Sequence, residues 1–136
     1  MIATRGERLN NPGNLEKGAI AWQGMAQDQP DSRFVKFNRP EDGIRALAKV
    51  LLTNYRKHGL NTVRKIVNRW APPHENDTGA YANHVADLLG VDDEALIVVS
   101  DPLILEGLTR GIIAHENGRV IYSDAEIVSA IDKALA

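Results

Sequence analysis

At Asn38 the sequence changes character. The first 38 residues hold Asn10-Asn11-Pro12-Gly13-Asn14, then Gly18, Gly24 and Pro30. Turn formers at that density predict irregular backbone with short strands. Two stretches alternate apolar and polar residues in part, "AIAWQGM" and "RFVKF". They are the strand candidates, paired as a β-hairpin through "AQDQPDS". Beyond Asn38 the apolar spacing is helical and each segment is bracketed by stop and start residues. Pro40 suits a first helical position, and Ile44, Leu47, Ala48, Leu51 and Leu52 fall on one face before His58-Gly59. A second helix starts near Asn61 or Thr62 and ends before Pro72-Pro73. A third runs from about Asp77 to Gly90, and "DDEALIVVS" after it reads as a loop or a short strand. Asp101-Pro102 opens a fourth helix that reaches about Glu116. Ser123 or Asp124 caps a fifth that carries Ile127, Val128, Ile131 and Leu135. The expectation is an α+β chain, mostly helical, with a small N-terminal β-hairpin and about five helices.

The chain has 136 residues, enough for one domain spanning residues 1–136. A net charge of −2 argues against a general nucleic-acid binder. Arg56, Lys57, Arg64, Lys65 and Arg69 form a local basic patch that reads as a solvated helix face. It could also hold an anionic cell wall. No apolar run approaches the ~20 residues of a membrane span, so membrane insertion is not expected. The first 20 residues lack the apolar core of a signal peptide. Cysteine is absent, which removes thiolate zinc sites and a cysteine nucleophile. The four histidines show no metal-ligand spacing, so no metal and no cofactor are expected.

One stretch carries chemistry. In Gly111-Ile112-Ile113-Ala114-His115-Glu116-Asn117-Gly118 a carboxylate closes an apolar helix. Ile112 and Ile113 lie four and three residues before Glu116, on its face of the helix. Desolvation there penalises the charged carboxylate, as does the negative end of the helix dipole. A general acid for glycosidic cleavage needs that environment.

"GIIAHENG" resembles the catalytic-Glu helix of the lysozyme-like superfamily: goose-type lysozymes, lytic transglycosylases and bacterial glucosaminidases. "ENGRVIYSD" is similar to the stretch after the Glu in phage-type lysozymes. "NNPGNLEKG", "AWQG" and "RFVKFNRPEDG" resemble the segment that follows the catalytic helix in the glucosaminidases. "APPHENDTGAYANHV" resembles the transglycosylase motif that opens a Tyr-bearing helix, with Asn76 and Asp77 inserted between Glu75 and Thr78. The motif order is changed, with the Glu helix last, which reads as a circular permutation. Residues 5 to about 132 also resemble small phage proteins with an Arg-Gly-x-Arg-Asn-Asn start and a His-Glu-Asn-Gly end; Leu9 departs from that start.

The resemblance implies a lysozyme-like catalytic domain that cleaves the MurNAc–GlcNAc backbone of peptidoglycan. Glu116 would be the general acid and Tyr81 its catalytic partner from the third helix. Asn10, Asn11, Asn14, Trp22, Gln23, Asn117, Tyr122 and His84 would bind substrate. Trp70 is placed in the core. Glu75, Asp77 and Asp124 are the candidates for a second carboxylate; without one, the single-Glu route of lytic transglycosylases applies. The implied setting is a monomeric endolysin, held in the host cytoplasm until holin-assisted release to the periplasm, or a lysin among phage virion components. The alternative is a phage structural or glycan-binding protein that keeps the fold without catalysis.

Overall fold

The structure is a computed structural model that describes residues 2–71 and 77–136. Among the described residues six helices form in chain order: α1 (Arg5–Arg8), α2 (Pro40–His58), α3 (Val63–Trp70), α4 (Thr78–Leu89), α5 (Pro102–Asn117) and α6 (Asp124–Leu135). The last five begin and end where the sequence signals them. Thr62, Asp77 and Asp101 each accept a hydrogen bond from the first turn of α3, α4 and α5, satisfying N–H groups that have no partner inside the helix. Ser123 and Glu126 form a reciprocal capping box on α6. The additional helix, α1, has a capping box of its own between Thr4 and Glu7. At four residues it is too short to show a period. The 92–100 segment forms a loop.

Helix α2 packs against α6 and α5, and α4 packs against α3 and α5. Leu47, Leu51, Ile66, Val85, Leu108, Ile112 and Ile127 fill the space between them, each fully buried. Gly111 lets α5 lie close to α4, because a Cβ there would stand 3.1 Å from Val85 Cγ1. That close approach brings Tyr81 and the end of α5 together.

The expected α+β, lysozyme-like fold with an N-terminal hairpin is overturned. Among the described residues there is no strand, only two isolated antiparallel bridges, Glu16 with Phe34 and Met25 with Phe37. The reason lies in the side chains. The bridges keep a few ladder bonds, Val35 N–H to the Leu15 carbonyl and Ala26 N–H to the Lys36 carbonyl among them, and side-chain amides engage the backbone groups beside them. Asn11 Nδ2 donates to the Leu15 and Val35 carbonyls, and Asn11 Oδ1 accepts from Leu15 N–H. Gln29 does the same for the Ala26 and Lys36 carbonyls and the Lys36 N–H. Alternation survives only as a short stretch, with Val35 and Phe37 buried beneath Ala46 and Leu15. In "AIAWQGM", Ile20 is 58% exposed, so the alternating pattern buries no continuous face.

The N-terminal loops are clasped to the end of α5. Thr4 Oγ1 donates to Asn117 Oδ1 (2.7 Å), and Asn117 Nδ2 donates to the Pro12 carbonyl (2.8 Å). Arg119 donates to both oxygens of the buried Glu7 carboxylate, at 2.7 and 3.0 Å. Arg119 and the Thr4 N–H hold the Glu7 carboxyl below its ordinary value of 4.5 against the opposing effect of burial. A carboxyl depressed in the folded state stabilises above its unfolded pKa, and that stability is lost as pH falls through the folded one. The urea midpoint should therefore drop on acidification below about pH 4.5. Glu7→Gln should flatten part of that slope, with Asp31 and Glu41, held low by Arg5 and Lys133, supplying more. A slope identical in Glu7→Gln and wild type would remove the clasp from the acid response.

Candidate functional site

Glu116 lies in the last turn of α5, half-buried, one turn beyond Ile112 and Ile113. The helix stops two residues later at Gly118, whose φ of 76° is left-handed, which glycine adopts without a Cβ penalty. Asn14 reaches the carboxylate from the N-terminal loop. Its own φ of 54° is left-handed, and its Nδ2 donates to Glu116 Oε1 at 3.2 Å. Asn14 Oδ1 is buried without a hydrogen-bond partner.

Tyr81 comes to the same place from α4. It is 1% exposed, and its ring stacks on His115 with centroids 3.8 Å apart. Its hydroxyl is buried near the Glu116 carboxylate and makes no hydrogen bond of ordinary geometry among the described residues. Burial first, then the neighbouring Glu116 carboxylate, push the phenol above its ordinary value, so it remains an O–H donor beside that carboxylate. His84, one turn along α4 from Tyr81, is exposed, and its Nδ1 lies 3.3 Å from His115 Nδ1. Burial and the proximity of His84 lower the His115 pKa, with Glu116 acting in the opposite direction.

A groove of about 840 Å³ opens from Glu116 and Asn14. Its size falls within the usual range of ligand sites. Glu16, Arg33 and Phe34 line it on the N-terminal side, and Asn54, Arg69 and Trp70 on the helical side. The Phe34 wall is built as a stack. The Arg5 and Arg33 guanidiniums lie 4.5 and 5.1 Å from the Phe34 ring centre, and they pair with Asp31 and Glu16 respectively. Two aromatic rings, two guanidiniums and two amides, beside the Glu16 and Glu116 carboxylates, suit a polar ring-shaped ligand.

The structure thus gathers Glu116, Tyr81 and Asn14 and places His84 near them. It sends the other sequence candidates elsewhere. Asn10, also left-handed with φ 53°, donates Nδ2 to the Phe37 carbonyl. The Asn11 and Asn117 amides are fully engaged with backbone and Thr4, which leaves them nothing to offer a sugar. Trp22 packs against the small Leu15–Phe37 core, and Gln23 is exposed outside the groove lining. Tyr122 is buried in the main core, its phenol pushed up to about 12 mainly by burial. Of the proposed second carboxylates, Asp77 caps α4 and Asp124 pairs with Arg110, while Glu75 lies outside the described residues. Among the described residues Glu16 is the other carboxylate in the groove lining, and nothing in the local sequence marks it. Trp70 was expected in the core; it packs against both hydrophobic clusters and also lines the groove. The basic patch is divided, with Arg64 paired to Asp93 and Arg69 turned to the groove.

These features define a small helical protein with one half-buried carboxylate at the end of an open, aromatic-lined groove. No protein-family model matches the chain. It is 37% identical over 129 residues to Protein P5 of Pseudoalteromonas phage PM2, an alignment that covers 92% of this chain and 78% of the relative. The chain belongs to the family of that bacteriophage protein. No helix among the described residues is long and apolar enough to cross a membrane.

Proposed function

We propose that this protein cleaves the glycan backbone of peptidoglycan, as a phage lysin acting from the virion or as an endolysin. The observation that carries the reading is the groove-lining Glu116 carboxylate, held by Asn14 and neighboured by the buried Tyr81 hydroxyl. The resemblance of residues 111–118 to glycosidase catalytic helices supports the same assignment, and a phage relative suits a wall-degrading role. In the reaction, protonated Glu116 gives its proton to the glycosidic oxygen as the C1–O bond breaks. The leaving sugar departs as an alcohol. Water then attacks C1 and returns a proton to Glu116, or the 6-hydroxyl of the same sugar attacks C1, gives its proton to Glu116 and leaves an anhydro ring. Tyr81 would donate to Glu116 or to the substrate. Arg69 and Arg33 would meet the carboxylates that peptidoglycan carries and Trp70 a sugar face.

Mass spectrometry of soluble products from purified Gram-negative peptidoglycan tests this. Anhydro-muropeptides identify the single-Glu route. Reducing ends identify hydrolysis, with Glu16 the first second-carboxylate candidate to mutate. Absence of products, with the protein still sedimenting with peptidoglycan, would favour a virion protein that binds glycan without cutting it.

Tyr81→Phe separates function from stability. The substitution removes a buried hydroxyl that makes no hydrogen bond of ordinary geometry among the described residues, so the thermal midpoint should hold or rise slightly. Cleavage should still weaken, by roughly tenfold, as expected for loss of one hydrogen bond to a charged group. Full activity in Tyr81→Phe would confine Tyr81 to the core.

A further inference from the structure

The sequence spacing of the histidines offers no metal site, but the fold creates one juxtaposition that spacing cannot show. His84 on α4 and His115 on α5 are 31 positions apart, and their Nδ1 atoms face each other at 3.3 Å. We infer that this pair binds one divalent transition-metal ion of the imidazole-preferring class, such as zinc or nickel, through both Nδ1 atoms.

The distance fits chelation. Imidazole nitrogens sit about 2.0–2.1 Å from such an ion, so two of them at a tetrahedral angle stand about 3.4 Å apart. Both histidines are solvent-exposed, which lets an ion and its remaining water ligands enter. His115 is already oriented, because Tyr81 stacks on its ring at 3.8 Å and 20°. Pre-orientation lowers the entropy lost when the ion is bound. The Glu116 carboxylate contributes negative charge beside the pair. The 3.3 Å contact is a hydrogen bond when one of the two rings carries its proton on Nδ1. Ligation through both Nδ1 lone pairs places each ring proton on Nε2. Imidazole ligands select zinc, nickel or copper over magnesium or calcium, which prefer oxygen. A bound ion would tie α4 to α5 beside Glu116.

The test is calorimetric titration of the untagged full chain with nickel chloride and with zinc chloride, against magnesium chloride as control. Wild type should bind one nickel or zinc ion and no magnesium. His84→Ala and His115→Ala should each weaken binding at least tenfold, while His58→Ala should leave it unchanged. Millimolar zinc should also raise the thermal midpoint of wild type and not of His84→Ala. Unaltered binding in His84→Ala, or no binding by wild type at millimolar metal, would overturn the proposal. The readouts are binding and stability, so the result stands whether or not the protein cuts peptidoglycan.

Discussion

Glu116→Gln is expected to lower peptidoglycan cleavage at least about 100-fold, the scale of a lost general acid. Stability should stay within about 0.5 kcal/mol of wild type, as for a substitution that leaves packing and caps intact. The glutamine matches the carboxylate in shape, and its Oε1 can still accept the Asn14 Nδ2–H that now reaches Glu116 at 3.2 Å. The amide cannot donate an acidic proton to a glycosidic oxygen. Turbidity loss of purified cell walls and urea unfolding, run on the same preparations, give the two readouts. A variant that clears walls at the wild-type rate would take Glu116 out of the mechanism.

Gly43→Ala should have the largest effect on stability, roughly 3 kcal/mol or more by the measure of an overpacked core. Gly43 lies in the first turn of α2, directly against the Asn10–Asn11 backbone. A Cβ there would stand 1.8 Å from the Asn10 carbonyl oxygen and 2.9 Å from its carbon. Both atoms are main chain, so no flexible side chain can yield; α2 or the loop must move. The loop carries Asn14, and its displacement would draw the amide away from Glu116. The urea midpoint and cleavage should therefore fall together, in contrast to Glu116→Gln. A loss of stability below about 1 kcal/mol would show that the loop and α2 separate at little cost.

The two substitutions probe different kinds of information in the chain. Glu116 was legible because its setting is local: isoleucines three and four residues earlier, a glycine two residues later. The five long helices were legible for the same reason, since caps and helical periods act within a turn or two. Helix α1 escaped because four residues carry no period. The hairpin expectation failed on a longer-range competition. Alternation in "RFVKF" predicts a strand, yet its backbone pairing stops at two isolated bridges, and the Asn11 and Gln29 amides take up the Val35 and Ala26 carbonyls and the Lys36 N–H beside them. Nothing near residues 33–37 reveals that Asn11 will do this.

The groove lies at the far limit of legibility. Asn14 and Glu116 are 102 residues apart in sequence and share a hydrogen bond. His84 and His115 meet where α4 and α5 pack closely, at Gly107 against Leu89 and Gly111 against Val85. By itself the sequence determined where the helices start and stop and which carboxylate closes an apolar helix, because those outcomes depend on neighbours a few bonds away. The tertiary structure alone decided which asparagine reaches that carboxylate, which aromatic rings and guanidiniums line the groove, and which two histidines converge. Those placements depend on how helices and loops pack at long range, and a loop asparagine carries no local mark of what it will touch.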